Sequence, residues 1–198
     1  MVAGWHGWFG TFTGIALLAA VVLPLAALVV WALARRRVAA GVTPAWAWRM
    51  SLAEVGMVYG TVPWVWMTML PDGPAGAVAA DRIILVPGQD LLAISAAGPL
   101  RLAGQVVVNL LVFAALGFFA PQRFAVLASV PRILALGAGC SLLVEMAQHI
   151  LLERVSSVDD VLLNAAGAGL AALTSRRWWR ARAAVSADQS RSVTAPGR

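Results

Sequence analysis

From Met1 to Ala34 the chain carries no Asp, Glu, Lys or Arg. No other feature constrains folding as much, because about 20 consecutive apolar residues span a bilayer. Further apolar runs follow near residues 52–70, 102–120, 133–151 and 158–175, so with the first at 11–34 the sequence predicts about five spans. In hydrocarbon every backbone N–H and C=O must be satisfied internally, which leaves helical bundles or closed barrels. The runs are continuous and not alternating, so the expected fold class is all-α, a polytopic transmembrane helical bundle. A chain that is 61% hydrophobic and 12% charged is no ordinary soluble domain. The first run reads as a retained span and not as a signal peptide. No basic residue precedes it, and Arg35, Arg36 and Arg37 follow it. The single cysteine, Cys140, has no intrachain disulfide partner and reads as a small core residue.

Three regions are expected. Residues 1–101 form a two-span N-terminal part that ends in an extracytoplasmic loop, 71–101. Residues 102–175 form a three-span core. Residues 176–198 form a basic tail, disordered from about Ala183. Basic residues near span ends set orientation. With the N-terminus outside and the C-terminus cytoplasmic, only Arg82, Arg101 and Arg154 face outward, and the other twelve of the fifteen basic residues face inward. The net charge of +6 is thus a membrane-insertion signal, with affinity for anionic inner-leaflet lipid and no nucleic-acid footprint. The run RRWWRAR after the fifth span reads as an interfacial anchor, with Trp at the headgroups. Trp64 and Trp66 fit an aromatic belt. Glu54 is expected to reach toward Arg49. Asp72, Asp81 and Asp90 read as solvated loop residues.

Against this background the stretch EMAQHILLERVSSVDDVLLN is unusually polar. It forms the outer turn between the fourth and fifth spans. At 1.5 Å per residue, Glu145 and Asn164 each lie about 9 Å below the outer surface, and Asn109 on the third span lies at a similar depth. Three helices are therefore expected to bring polar side chains to one level. Glu145, Gln148 and His149 share a helix face, as do Asp160 and Asn164. Phe113 and Gly117 continue the face of Asn109, and Gly167 continues that of Asn164. Glycines there let helices approach closely. Ser157 and Asp160 have the spacing of a capping box for the fifth span. Packing roles stand beside functional ones. Glu145 can pair with Arg101 or Arg154, Asp159 and Asp160 can cap a helix, and Asn109 and Asn164 can join helices by hydrogen bonds. His149 can be a passive interfacial residue. Glu145, His149 and the two Asp match no standard zinc spacing, so no metal site and no cofactor are expected. Nucleotide loops and hydrolase motifs are lacking.

The segments NLLVFAALGFFAP, SLLVEMAQ and SSVDDVLLNAAGAGLAAL together resemble the VanZ-like family. The resemblance covers roughly the last 75 residues before the tail. It marks Asn109, Phe113, Gly117, Glu145, Gln148, Arg154, Asp159, Asp160, Asn164 and Gly167. The family often has Pro where this chain has Ala115. The resemblance implies a bacterial multi-pass protein of the cell membrane, whose namesake is linked to low-level teicoplanin resistance.

Three functional readings follow. In the first, Glu145, Asn109 and Asn164 line an outer-leaflet cleft under a rim of Asp159, Asp160 and Arg154, with Gln148 and His149 beside them. Apart from membrane lipids, its ligand is a cell-envelope amphiphile, either a lipid-linked wall precursor or a lipoglycopeptide. In the second, Glu145 and Asp160 are a catalytic acid–base pair of a membrane hydrolase or transferase. In the third, the polar cluster only packs the bundle.

Overall fold

The computed structural model describes residues 12–69, 83–152 and 156–194. The first helix, α1, runs Phe12–Ala39 and contains Pro24. It ends in a tight turn at Gly41, whose φ of 87° is left-handed and suits glycine. Pro44 then opens α2, Pro44–Thr68, at a position where the missing N–H costs nothing. The short turn makes α1 and α2 an antiparallel hairpin, and Tyr59 Oη on α2 donates to the Ala19 carbonyl on α1 at 2.6 Å. The second helix therefore starts well before the expected residue 52.

Within the loop expected at 71–101, residues 71–82 lie outside the described residues. The rest is ordered. A two-residue strand β1, Ile83–Ile84, is followed by a short helix α3, Gln89–Ser95. Gly98, at φ 110°, and Pro99 then launch α4, Pro99–Val112. Arg101, expected in the loop, is on α4.

The expected third span is two helices. α4 gives way at Phe113 (φ −112°, ψ 15°) to α5, Ala114–Arg123. This break occurs with Ala114 and Ala115 after Phe113, so no proline forces it. A 3-10 turn, Ala125–Leu127, leads to α6, Val130–Leu152. Strand β2, Ser156–Ser157, pairs parallel with β1 and leads into α7, Val158–Thr194. This pair is the one departure from an all-α fold among the described residues. It pins the loop to the α6–α7 turn. α7 runs on past Ala183, where a disordered tail is expected, because residues 176–194 contain neither Gly nor Pro to stop it.

α7 packs against α4, α5 and α6, and α2 packs against α5. The core is made of Val112, Phe113, Ala120, Ile133, Ala168 and Ala172, with Cys140 half-buried against it. Small residues make the approach possible. A Cβ on Gly117 would collide with the Ala168 carbonyl of α7, and one on Gly167 would collide with the Leu110 carbonyl of α4. α7 thus touches α5 at Gly117 and α4 at Gly167, backbone to backbone.

Large aliphatic residues point outward instead, among them Val21, Leu25 and Leu28 on α1 and Leu143 and Ile150 on α6. Three stretches, Thr13–Ala39, Pro99–Arg123 and Val130–Leu151, are long and apolar enough to cross a membrane. The burial inside the protein is only 11% of the most apolar window in the first and 22% in each of the others, so their outer faces require lipid. The chain is a helical multi-pass membrane protein.

Two sequence expectations fail at the Arg-rich end. Glu54 does not reach Arg49. Arg37 Nη2 donates to Glu54 Oε2 at 2.5 Å, and Arg123 Nε donates to Glu54 Oε1. The hairpin turn and the end of α5 bring these two guanidinium groups closer. Trp179 does not face outward as an interfacial anchor would. It is buried, and its Nε1 donates to the Ala172 carbonyl at 3.3 Å, because the small residues of α7 leave room for the ring. Trp178 packs edge-on to Phe118, 5.4 Å between ring centres. Trp64 also lies against the core, while Trp66 is exposed as a belt residue would be.

Candidate functional site

The β2 segment fixes the geometry of the polar stretch. Ser157 is the residue before α7, and its Oγ accepts from the Asp159 N–H at 3.2 Å, which satisfies one orphan donor of the first turn. In a full capping box Asp160 would accept the Ser157 N–H. Here Glu145 takes that role from the neighbouring helix, its Oε2 accepting from Ser157 N at 3.3 Å. The Glu145 carbonyl also accepts from Ser156 Oγ at 3.2 Å. A buried carboxylate on α6 is thus aimed at the N-terminus of α7, where the helix dipole favours negative charge.

Asp160 is thereby released to face α4. It accepts from Asn109 Nδ2 and from Gln105 Nε2, the latter at 3.1 Å. Asp159 points the other way. Its Oδ1 accepts from Gly88 N at 2.6 Å, and its Oδ2 accepts from Asp90 N at 3.1 Å and Leu91 N at 3.2 Å. It therefore caps α3, a helix about seventy residues distant in sequence, and is itself only 3% exposed. The adjacent acids, read as alternative helix caps for α7, serve two different elements. Asp90, at the start of α3, has its pKa raised, first by burial and then by the nearby Asp159 charge. It is not a fully solvated loop residue.

Asn164 does not lie at the level of Glu145. Its Nδ2 donates to Ser141 Oγ at 2.8 Å, and Ser141 is one helical turn below Glu145. The single expected polar layer is therefore two rungs. An upper rung holds Glu145, Ser157, Asp160, Asn109 and Gln105. A lower rung holds Ser141 and Asn164. Asn164 is 5% exposed, and its Oδ1 has no hydrogen-bond partner among the described residues. Gln148, a turn above Glu145, donates from Nε2 to the Thr68 carbonyl at 2.5 Å and so ties α6 to the end of α2. His149 is half-buried beside it. Arg154 lies outside the described residues. Phe113 is buried at the α4–α5 break, directly below Asn109. Among the described residues no three His, Cys, Asp or Glu side chains group as metal ligands.

Gln105, Ser141 and Ser157 enter the cluster without having been singled out as ligand-binding residues. All three carried a signal, Ser157 through its capping-box spacing to Asp160. Gln105 and Ser141 each stand four residues before a named site residue on the same helix face, Asn109 and Glu145. Gly88 and the Thr68 carbonyl contribute backbone atoms, which no side-chain pattern announces.

A buried, hydrogen-bonded set of acids and amides, closed above by a docked loop and surrounded by lipid-facing helices, defines a class of membrane protein with an internal polar site. Residues 57–179 match the VanZ/LLP1 family, and the chain belongs to it. The match reaches back into α2, well beyond the segments whose motifs resemble the family. The packing explains this: Gly56 lies against Phe119 and Gly60 against Ala115, so α2 is part of the same unit as α5. No curated protein and no solved structure matches the chain.

Proposed function

We propose that the two polar rungs are the working site of a bacterial cytoplasmic-membrane protein. The site binds or modifies a cell-envelope amphiphile, a lipid-linked wall precursor or a lipoglycopeptide. The chain crosses the membrane five times with its N-terminus outside, which puts the Glu145 rung in the outer leaflet and the Arg-rich end in the cytoplasm. α2 and α7 complete the five, and at about 1.5 Å per residue both are long enough to cross. The loop that carries α3 then lies over the site from outside.

Asn164 carries this reading. A buried carbonyl oxygen left unpaired costs about 1–3 kcal/mol, and an ionisable group such as Glu145 costs about 2.5–3.5 kcal/mol at membrane depth on insertion scales. Such costs are retained where they serve a ligand. The ligand supplies a hydroxyl or amide donor to Asn164 and an amphiphilic body against the helices. Arg154, which lies between α6 and β2 in sequence, is the residue we assign to a phosphate or carboxylate of that ligand.

A packing role is the second reading. It is favoured by the bonds from Asn109 and Gln105 to Asp160, which join α4 to α7. Teicoplanin susceptibility separates the two readings. The host lacks a homologue and carries wild type, Glu145→Gln or Asp160→Asn, with membrane abundance checked for each. A working site gives protection by wild type that is lost in the variants at equal abundance. Variants that protect like wild type leave only the packing role. Absence of protection by wild type removes the lipoglycopeptide and sends the test to lipid-linked wall precursors.

A further inference from the structure

Away from the polar rungs, α1 and α2 enclose an open groove of about 640 Å³. Ile15, Val22 and Val29 line it from α1, and Val55, Val62 and Trp66 line it from α2. From Ile15 to Val29 the helix rises about 21 Å. That exceeds the hydrocarbon depth of one leaflet, about 15 Å or half a bilayer core. The floor is apolar throughout, and Glu54 is the one acid on its wall.

The residues Ile15, Val22, Val29 and Arg36 fall seven apart, so Arg36 continues the groove's own line two turns beyond its apolar part. Glu54 is held by Arg37 and Arg123, which leaves that corner with a net positive charge. Arg35 and Arg49 lie at the same end, both exposed. An apolar channel of this length that opens onto surplus guanidinium groups is complementary to a chain bearing an anionic head.

We infer that the α1–α2 groove is a binding site for one acyl chain of an anionic phospholipid whose phosphate rests against Arg36. The site is separate from the polar rungs, and it stands or falls independently of what binds there.

Native mass spectrometry of the full chain tests it, after release from vesicles containing equal phosphatidylglycerol and phosphatidylcholine. Wild type is expected to retain one phosphatidylglycerol per chain, about fivefold over phosphatidylcholine, the effect of one basic residue near an anionic surface. Ala26→Trp fills the half-buried middle of the groove and is expected to lower retention about tenfold with unchanged thermal unfolding in detergent. Arg36→Gln is expected to keep a bound lipid but lose the preference for phosphatidylglycerol. Equal retention of the two lipids by wild type overturns the inference. So does undiminished phosphatidylglycerol retention by Ala26→Trp, or a wild-type dimer that Ala26→Trp converts to monomer.

Discussion

The α1–α2 hairpin and the α4–α7 core are both built from apolar helices, yet they are joined differently. In the hairpin, bulky side chains splay outward, and defined polar contacts hold the pair, Tyr59 to the Ala19 carbonyl and Glu54 to Arg37, while Arg123 of α5 ties Glu54 to the core. In the core, α7 is pressed onto α4 and α5 through Gly117 and Gly167, and the polar rungs cross-link it to α4 and α6. Lipid tails are as apolar as Leu, so hydrophobicity alone does not glue helices inside a membrane. Backbone proximity and hydrogen bonds do. The hairpin keeps its large residues for lipid, and the core keeps its small and polar residues for helices.

The sharpest way to break this contrast is to enlarge a core glycine. Gly117→Leu and Gly167→Leu each force a side chain into an opposing backbone carbonyl, which cannot swing away as a flexible side chain would. Overpacking costs about 1–3 kcal/mol even in forgiving cores, and more is expected here. Both variants should fail to accumulate, or should aggregate well below wild type in a detergent thermal-stability assay. Leu at Gly41, where nothing lies within 4 Å, meets only the backbone penalty of its positive φ and should cost less. Equal losses at all three sites would mean that Gly117 and Gly167 are not the joint.

Next in size is the hairpin's own tie. Glu54→Gln keeps the shape but removes the charge shared by Arg37 and Arg123. With the group only about a quarter exposed, this should cost about 1–3 kcal/mol. The loss should show as faster proteolysis at the α1–α2 turn, while the α6–α7 region stays protected. If protection falls equally in both places, hairpin and core unfold as one unit.

These two tests differ in how far the sequence announced them. Gly117 and Gly167 were legible, because glycines on a polar helix face have few other uses in a membrane. The apolar runs were legible too, since length and composition alone place them. Pairings that depend on the third dimension were not. Glu54 has a basic residue five positions away in Arg49, and only the fold shows that Arg37 and Arg123 lie closer. The Ser157–Asp160 spacing suggested a capping box, but Glu145 occupies the N–H that Asp160 would have taken. Depth arithmetic placed Glu145 and Asn164 together, because the α6–α7 turn was counted as symmetric about its middle. α7 starts at Val158 as counted, but Ser156 and Ser157 bond to Glu145, so the helix begins at Glu145's own level and Asn164, farther down, meets Ser141 instead.

Asp159 extends the comparison to the loop. It accepts from three backbone N–H groups at the start of α3, so Asp159→Ala should cost about 0.5–2 kcal/mol, the usual value of a lost cap. Hydrogen exchange should quicken over residues 83–98 and remain slow in α4 and α7. A change spread over the whole core would show that the loop is structural and not separately hinged.

The smallest effect concerns Asp90, whose carboxyl is perturbed in the same place. Its pKa is raised above the ordinary 3.8, so the docked loop binds that proton more tightly than the undocked one. Docking is favoured while Asp90 is protonated, below pH 3.8, and this contribution is lost as pH rises through the elevated folded value. At neutral pH the charge on Asp90 therefore works against docking, beside the Asp159 charge that caps the helix. Asp90→Asn removes the burden without touching the backbone N–H that Asp159 accepts. Exchange over residues 83–98 should then be slightly slower than wild type at pH 7, with the gap closing as pH approaches 3.8. A gap that widens toward acid would mean that Asp90 holds the loop down through a partner of its own.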